Sequence, residues 1–180
     1  VRYPASIAAA LKGAEAVVNL VSVLNERGRQ NFESLNGFGS RAVAKAAADA
    51  GITNMVHMSA IGADAESPSA YARSKAAGEE AVKAAIKDAI ILRPSIVFGP
   101  EDDFFNRFAS LARILPALPL IGWGKTKFQP VFVGDVAEAV ARAVDGQLKS
   151  GATYELGGPE VKSFRELLEI VLKVTNRKRA

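Results

Sequence analysis

The chain has 180 residues, a formal net charge of +4 and a pI near 9.4. It contains no cysteine, which excludes a disulfide framework and a cysteine-based metal site within these residues. Its lysines and arginines are mostly dispersed among acids along predicted helices, a pattern typical of solvated helix surfaces rather than of nucleic-acid binding. No apolar run approaches the roughly 20 residues that a membrane-spanning helix needs. The length is sufficient for a hydrophobic core.

The first half of the chain alternates between helical and strand-like segments. Ser6 is placed to cap a helix, glycines follow two helical segments, and short apolar runs predict buried strands. The predicted elements are a helix over Ile7–Lys12, a strand over Ala16–Val21, a helix over Asn31–Ala50, a strand over Met55–Met58, a helix over Ser69–Lys87 and a strand over Ala89–Leu92. This alternation implies parallel strands with helices on both faces of the sheet.

The pattern changes beyond Pro100, where prolines and glycines interrupt shorter elements. The predicted elements are a helix over Phe104–Leu115, a turn at Gly122-Trp123-Gly124, an extended segment over Pro130–Val133, a helix from an Asp135 cap to Val144, a strand over Thr153–Leu156 and a helix from a Ser163 cap to Val174. The last residues, 176–180, form a basic cluster. We interpret it as a helix end, and contact with anionic lipid or an acidic partner is the alternative.

Two groups of side chains have a structural interpretation. His57 alternates with apolar neighbours in a predicted strand, and it is the single histidine of the chain, so no metal site can be assembled around it. Phe104, Phe105 and Phe108 have the helical spacing of core residues. Lining a substrate or quinone-like pocket is their alternative role.

Tyr71 and Lys75 are the most informative pair in the sequence. Residues four apart share a helix face, and an ammonium beside a phenol favours the phenolate. Ser59 falls at the carboxyl end of the preceding strand, the edge at which ligands bind in open α/β sheets. The three side chains are therefore predicted to converge on one site.

These residues resemble the short-chain dehydrogenase/reductase superfamily, which combines Ser or Thr, Tyr-x-x-x-Lys and a nicotinamide cofactor on a Rossmann sheet. Later segments are similar to successive landmarks of its extended, epimerase-like branch: Ile91–Pro100, Phe128–Ala137 and Tyr154–Pro159. The resemblance implies an α/β fold with a Rossmann-like doubly wound parallel sheet and a small carboxyl-terminal, substrate-side subdomain. Residues 1–100 would be the central part of the dinucleotide-binding domain. Residues 101–180 would be mainly the subdomain, with segments returning to the Rossmann core.

The glycine-rich strand–turn–helix that opens a Rossmann sheet has no match in these residues. We therefore expect the amino-terminal half of the sheet to be absent from this chain. By the same resemblance, Ser59, Tyr71 and Lys75 form the catalytic set. The residues implied in binding NADP(H) or NAD(H) are Asn19, Val21, Ser22, Tyr71, Lys75, Pro94 and Ile96. Ordinary strand packing for Val21 and a loop hydroxyl for Ser22 remain alternatives, and Asn36 resembles an asparagine that holds an active-site water or the helix geometry.

A narrower resemblance covers most of residues 71–140. The stretches Tyr71–Glu79 and Phe98–Ala109 and the segment ending at Trp123 are similar to the NAD(P)H-binding accessory subunits of respiratory complex I and their bacterial relatives. That family implies a structural or assembly role with complex I subunits as partners. In a bacterium it implies a location in the cytoplasm or at the cytoplasmic face of the inner membrane. In a eukaryote it implies the matrix side of the mitochondrion. Peripheral association with the membrane is compatible with these locations.

An active NAD(P)-dependent epimerase, dehydratase or reductase using Ser59, Tyr71 and Lys75 is the alternative function. The 12-residue spacing from Ser59 to Tyr71 is shorter than in most sugar-nucleotide epimerases. It leaves less room for a loop that covers the substrate, so the resemblance favours the structural role.

Overall fold

A computed structural model describes residues 3–178 of the chain. Eight strands are present among them: β1 (Ala16–Asn19), β2 (Asn54–Met58), β3 (Ile90–Pro94), β4 (Val97–Phe98), β5 (Lys127–Phe128), β6 (Val131–Phe132), β7 (Thr153–Leu156) and β8 (Lys162–Ser163). The six α-helices of the same range are α1 (Pro4–Ala10), α2 (Phe38–Asp49), α3 (Ala70–Ala85), α4 (Phe105–Ile114), α5 (Val133–Val144) and α6 (Phe164–Val174). A π-helical turn, Glu33–Gly37, leads into α2, and a short 3₁₀ segment covers Ile121–Gly124.

The chain divides into two compact units. The first runs to Pro94 and resumes over Ala137–Leu156, and the second holds Ser95–Val136 and begins again at Gly157. Helix α5 contributes to both. The predicted boundary between a dinucleotide-binding domain and a carboxyl-terminal subdomain at residue 100 refers to the longer family fold. That boundary stays a prediction.

The first unit is built on a four-stranded parallel sheet in the order β1-β2-β3-β7. Alternate side chains of β2 point to opposite faces. Met55 packs with buried apolar residues of α2 and α3 on one face, whereas Val56 packs with Ala143 of α5 on the other. Helices therefore cover both faces, and the predicted doubly wound α/β fold is confirmed.

Helix α3 covers Ala70–Ala85 of the predicted Ser69–Lys87, and Ser69 is its cap, because the Ser69 hydroxyl accepts the Ala72 N–H at 3.4 Å. The predicted helix over Ile7–Lys12 was misplaced, since α1 begins at Pro4 and the Ser6 hydroxyl donates to the Tyr3 carbonyl instead of capping. The segment predicted as one helix from Asn31 opens with the π-helical turn, which hydrophobic spacing does not distinguish from an α-helix.

The second unit contains two two-stranded sheets, β4-β6 and β5-β8, and helices α4 and α6. The Ser163 cap of α6 is confirmed, with a full capping box in which Glu166 returns to the Ser163 backbone. Asp135 does not cap α5, because that helix already begins at Val133. Phe104 and Phe108 belong to the apolar cluster around Phe164, as their spacing predicted. Phe105 instead helps to line a cavity of about 430 Å³ within this unit.

Candidate functional site

Ser59 lies directly after β2, at the carboxyl edge of the first unit's sheet. Its N–H donates to the Leu92 carbonyl at 2.7 Å, which holds the strand end in register with β3. The side chain is only 4 % exposed and points to the same sheet face as Met55 and His57. Its hydroxyl donates to the Glu79 carboxylate on α3. Ser59 therefore joins a strand end to a buried acid.

Glu79 is held by a second, stronger partner. Arg93 of β3 donates two hydrogen bonds to this carboxylate, from Nε to Oε1 at 2.8 Å and from Nη2 to Oε2 at 2.7 Å. This bidentate geometry fixes the carboxylate and compensates for its burial. Arg93 also reaches Glu155 at 3.5 Å. The resulting chain, Ser59–Glu79–Arg93–Glu155, ties α3 to three strand ends.

Lys75 lies one helical turn before Glu79 and is 3 % exposed. Its Nζ donates to the Met58 carbonyl at 2.8 Å and to the Ser22 hydroxyl at 3.4 Å. Burial lowers the pKa of Lys75 to about 8, and the negative charge of Glu79 acts in the opposite direction. An ammonium has three N–H donors, and these two contacts use two of them. Within residues 3–178 the third N–H has no acceptor.

Tyr71 lies in the first turn of α3 and is partly buried. Its ring meets Phe32 edge-on, with ring centroids 5.6 Å apart. Among residues 3–178, its hydroxyl has no hydrogen-bond partner. Burial raises the pKa of Tyr71 above its usual value near 10. This is opposite to the direction expected from the neighbouring ammonium alone, because desolvation dominates.

Asn36, in the π-helical turn, connects the loop after β1 with α3. Its Oδ1 accepts the Ser22 hydroxyl at 2.9 Å and the Val23 N–H at 3.0 Å, and its Nδ2 donates to the Ser74 hydroxyl at 3.0 Å. Gly78 of α3 packs against this turn and has no room for a side chain. A Cβ at Gly78 would lie 2.5 Å from the Asn36 carbonyl oxygen. The π turn therefore places one amide where three segments meet, and such turns are frequent at functional sites.

Asn19 ends β1 and is buried against the same face. Its Oδ1 accepts the Val21 N–H at 3.2 Å, and its Nδ2 faces the Ser40 hydroxyl at 3.5 Å and His57 Nδ1 at 3.1 Å. The structure thus brings Asn19, Ser22, Ser59 and Lys75 together at one edge of the sheet.

Of the two remaining residues implied in cofactor binding, Pro94 lies at the same carboxyl edge of the sheet and Ile96 lies in the second unit. Pro94 closes β3, and its carbonyl accepts the Ile61 N–H at 3.0 Å. Ile96 belongs to the second unit, where its carbonyl accepts the Val131 N–H at 2.9 Å. Their role in binding a cofactor stays a prediction.

The sequence interpretation missed the pairing of Glu79 with Arg93. Glu79 follows Lys75 by four residues, and this spacing places the two side chains on one helix face. Arg93 directly follows a strand that was predicted to be buried, where an arginine needs a partner. Those two signals together could have identified the ion pair. The residues described by the structure hold no group of side chains suited to binding a metal ion.

Residues 1–157 match the family model described as the NAD dependent epimerase/dehydratase family. The chain belongs to this family. Among solved structures, it is similar to the dTDP-glucose 4,6-dehydratase DesIV of Streptomyces venezuelae with NAD bound, with 24 % identity and a TM-score of 0.85 over 98 % of this chain and 62 % of that one. The UDP-glucuronic acid 4-epimerase of Bacillus cereus, in complex with NAD, gives 17 % identity and a TM-score of 0.84 over 97 % of this chain and 64 % of that one. At these identities the likeness shows the fold alone.

The relatives by sequence include subunits of a respiratory enzyme. NADH dehydrogenase [ubiquinone] 1 alpha subcomplex subunit 9, mitochondrial, is 42 % identical in Arabidopsis thaliana, over 92 % of this chain and 42 % of the relative. The rat protein of the same name is 36 % identical over 96 % of this chain and 46 % of the relative. A ceramide reductase of Caulobacter vibrioides is 38 % identical over 61 % of this chain and 34 % of its own length. The predicted resemblance to complex I accessory subunits is confirmed, and the chain spans less than half the length of these relatives.

Proposed function

We propose that the whole protein binds NADP(H) or NAD(H) and serves as a structural or assembly component of a complex I-type respiratory assembly. The observation that carries this proposal is the state of Ser59, whose hydroxyl donates to a carboxylate clamped by Arg93. A serine so engaged is a poor donor for a substrate oxygen. The names of the Arabidopsis and rat relatives support the assembly partner.

Lys75 is the proposed anchor for the dinucleotide. Its free N–H would donate to a hydroxyl of the nicotinamide-side ribose, and Ser22 and the backbone near Val21 lie at the same edge. Tyr71, Asn19, Pro94 and Ile96 are included on the family resemblance. A bound nicotinamide supplies hydride transfer chemistry. The protein's own residues bind and orient it. Among the described residues, Lys75 is the one buried cation at this edge of the sheet that is not in an ion pair.

An active reductase or epimerase is the second candidate, favoured by the presence of Ser59, Tyr71 and Lys75 in one unit and by a relative named as a reductase. Tyr71 would then have to exchange a proton near neutral pH. Burial shifts its pKa the wrong way for that task. The structural role is therefore the better supported of the two.

The proposed location follows from the proposed partner. In a bacterium the protein would lie in the cytoplasm or at the cytoplasmic face of the inner membrane, and in a eukaryote on the matrix side of the mitochondrion. Within residues 3–178, none of the helices combines the length and the apolar character that crossing a membrane requires. Peripheral association with the membrane is part of the proposal, on the family resemblance.

Titration of the full-length protein with NADPH and NADH tests the binding site. Lys75→Ala should weaken binding roughly 10- to 150-fold, because a hydrogen bond from a charged group contributes about 1.5–3 kcal/mol. Lys83→Ala is the matched control, since Lys83 lies on the same helix but is exposed and donates to Thr153. Equal affinities for the wild type and Lys75→Ala would place Lys75 outside the site.

Co-purification with the respiratory assembly separates the two candidate functions. Tyr71→Phe removes one hydroxyl and keeps the ring against Phe32. A structural component should retain both its dinucleotide and its association with the assembly in this variant. Turnover by the wild type that disappears in Tyr71→Phe, with no co-purification in either strain, would establish the enzyme instead.

A further inference from the structure

The 3₁₀ segment of the second unit exposes two large apolar side chains at its tip. In this segment, Ile121–Gly124, which we call the Trp123 tip, Ile121 is 69 % exposed and Trp123 is 82 % exposed. A tryptophan held out in water leaves most of a large apolar surface unburied, at a cost of about 25 cal/mol per Å². Exposed apolar patches of this kind are candidate interaction surfaces.

The backbone holds this exposed position in a conformation that is unfavourable for tryptophan. Gly122, Trp123 and Gly124 have φ values of 59°, 58° and 70° in succession. The glycines adopt this left-handed region freely, whereas a residue with a Cβ pays about 1–2 kcal/mol. Gly124 fixes the base of the tip, because a Cβ there would lie 2.7 Å from the Leu120 side chain and 2.9 Å from Arg165. Strain of this kind at a surface position suggests a functional role.

Exposed cations surround the base of the tip. Lys125 follows it directly and donates its N–H to the Gly122 carbonyl, Lys127 lies two residues further in β5, and Arg165 approaches Gly124 from α6. Two acids lie nearby: Glu160 pairs with Lys162, whereas Glu166 accepts the neutral Ser163 N–H and hydroxyl, keeps its negative charge and interacts electrostatically with Lys127. Lys125, Lys127 and Arg165 form no ion pair within the described part of the chain. Three cations against one acid outside an ion pair leave the base of the tip with a net positive charge.

We propose that the Trp123 tip inserts into the interface of an anionic lipid bilayer. Tryptophan favours the boundary between head groups and acyl chains, where its apolar ring and its N–H are both satisfied. Lysines just outside that boundary are attracted to anionic head groups. The core of a protein–protein interface is depleted in lysine, so a lysine-flanked tryptophan fits lipid better than a protein pocket. The proposed function already includes a peripheral location at a membrane, and this inference names the segment that would contact the lipid. In that respect the inference rests on the proposed function.

Fluorescence of Trp123 tests the proposal directly, since it is the single tryptophan of these 180 residues. The full-length protein, with any tryptophan outside them replaced by phenylalanine, is mixed with vesicles of phosphatidylcholine alone or with phosphatidylglycerol. With anionic vesicles we expect a blue shift and quenching by lipids brominated along the acyl chain. Lys125→Ala/Lys127→Ala should lower the partition coefficient about 30-fold, because each lysine near the surface contributes about fivefold.

The matched charge control is Lys12→Ala/Lys87→Ala, which removes two exposed lysines from the first unit and should leave vesicle binding unchanged. NADPH affinity is measured in every variant. If Lys125→Ala/Lys127→Ala binds vesicles more weakly but NADPH as well as the wild type does, a separate lipid site is supported. The NADPH affinity of Lys75→Ala tests the proposed function alone. The proposal is overturned if the Trp123 spectrum ignores anionic vesicles, if neutral vesicles bind equally well, or if only respiratory subunits free of lipid produce the shift.

Discussion

His57 should make the stability of the protein sensitive to acid. The side chain is 1 % exposed, and its Nδ1 lies 3.1 Å from Asn19 Nδ2. Because Asn19 Oδ1 already accepts the Val21 N–H, its amide group donates to His57, and this assigns the ring proton to Nε2. Within the described range Nε2 has no partner. Burial and the nearby Lys75 ammonium lower the pKa of His57 to about 4, against the opposing charge of Glu79.

The size of the effect follows from the two pKa values. Between the ordinary value of 6.5 and about 4, the unfolded chain binds a proton at His57 that the folded chain does not. The free energy of unfolding therefore falls as the pH falls through this window and is unaffected by His57 above it. At about 1.4 kcal/mol per pKa unit the full loss is roughly 3 kcal/mol, of which about 2.5 kcal/mol is reached by about pH 4.5.

Urea unfolding of the full-length wild type and His57→Asn, at about pH 7 and about pH 4.5, measures this loss. Asparagine cannot titrate in this range, and its side-chain oxygen can accept the Asn19 amide as Nδ1 does. The wild type should lose about 2.5 kcal/mol more than the variant on acidification. Equal losses with equal urea dependence in both proteins would refute the assignment of a buried, neutral His57.

Two substitutions test the packing around the site. Ser59→Ala removes a hydrogen bond to the buried Glu79 carboxylate, so urea unfolding should show a loss of about 1.5–3 kcal/mol while NADPH affinity stays unchanged; weaker NADPH binding at unchanged stability would contradict the structural role of Ser59. Gly78→Ala should cost about 1–3 kcal/mol, because its Cβ would meet the Asn36 carbonyl at 2.5 Å. Gly37→Ala, with open space at its Cβ, is the control, and equal stability of the two alanine variants would argue against the close packing of α3.

The sheet could be predicted from sequence because its strands carry a strong local signal. Met55–Met58 and Ala89–Leu92 are mainly apolar runs of strand length, separated by a helix predicted from Ser69. The π-helical turn before α2 could not be predicted, since an extra residue in a helical turn leaves the hydrophobic spacing almost unchanged. The start of α5 was also predicted wrongly. Asp135 is a residue type that is common both at caps and within the first turn of a helix, and here it lies within the first turn.

The candidate site was only partly visible in the sequence. Spacing along one helix predicts that Tyr71 and Lys75 share a face, but it does not say how deeply either is buried. The pKa of Tyr71 depends on that depth, and burial reverses the direction expected from charge alone. The partner of Ser59 is Glu79, twenty residues further along the chain. Only the packing of α3 against β2 and β3 brings them together.

The polar residues of α3 have fewer contacts with the rest of the fold from Glu79 back to Tyr71, and this order explains how a sequence with the features of an enzyme can form a binding site. Glu79 is neutralised by Arg93 and accepts the Ser59 hydroxyl, so the acid and the serine are both committed to the fold. Lys75 keeps one N–H beyond its contacts with Met58 and Ser22. Tyr71 lies nearest the start of the helix, with a pKa raised away from neutrality. A ligand hydroxyl can be held by such a lysine without any proton leaving the tyrosine, which is the distinction between retaining a dinucleotide and turning it over.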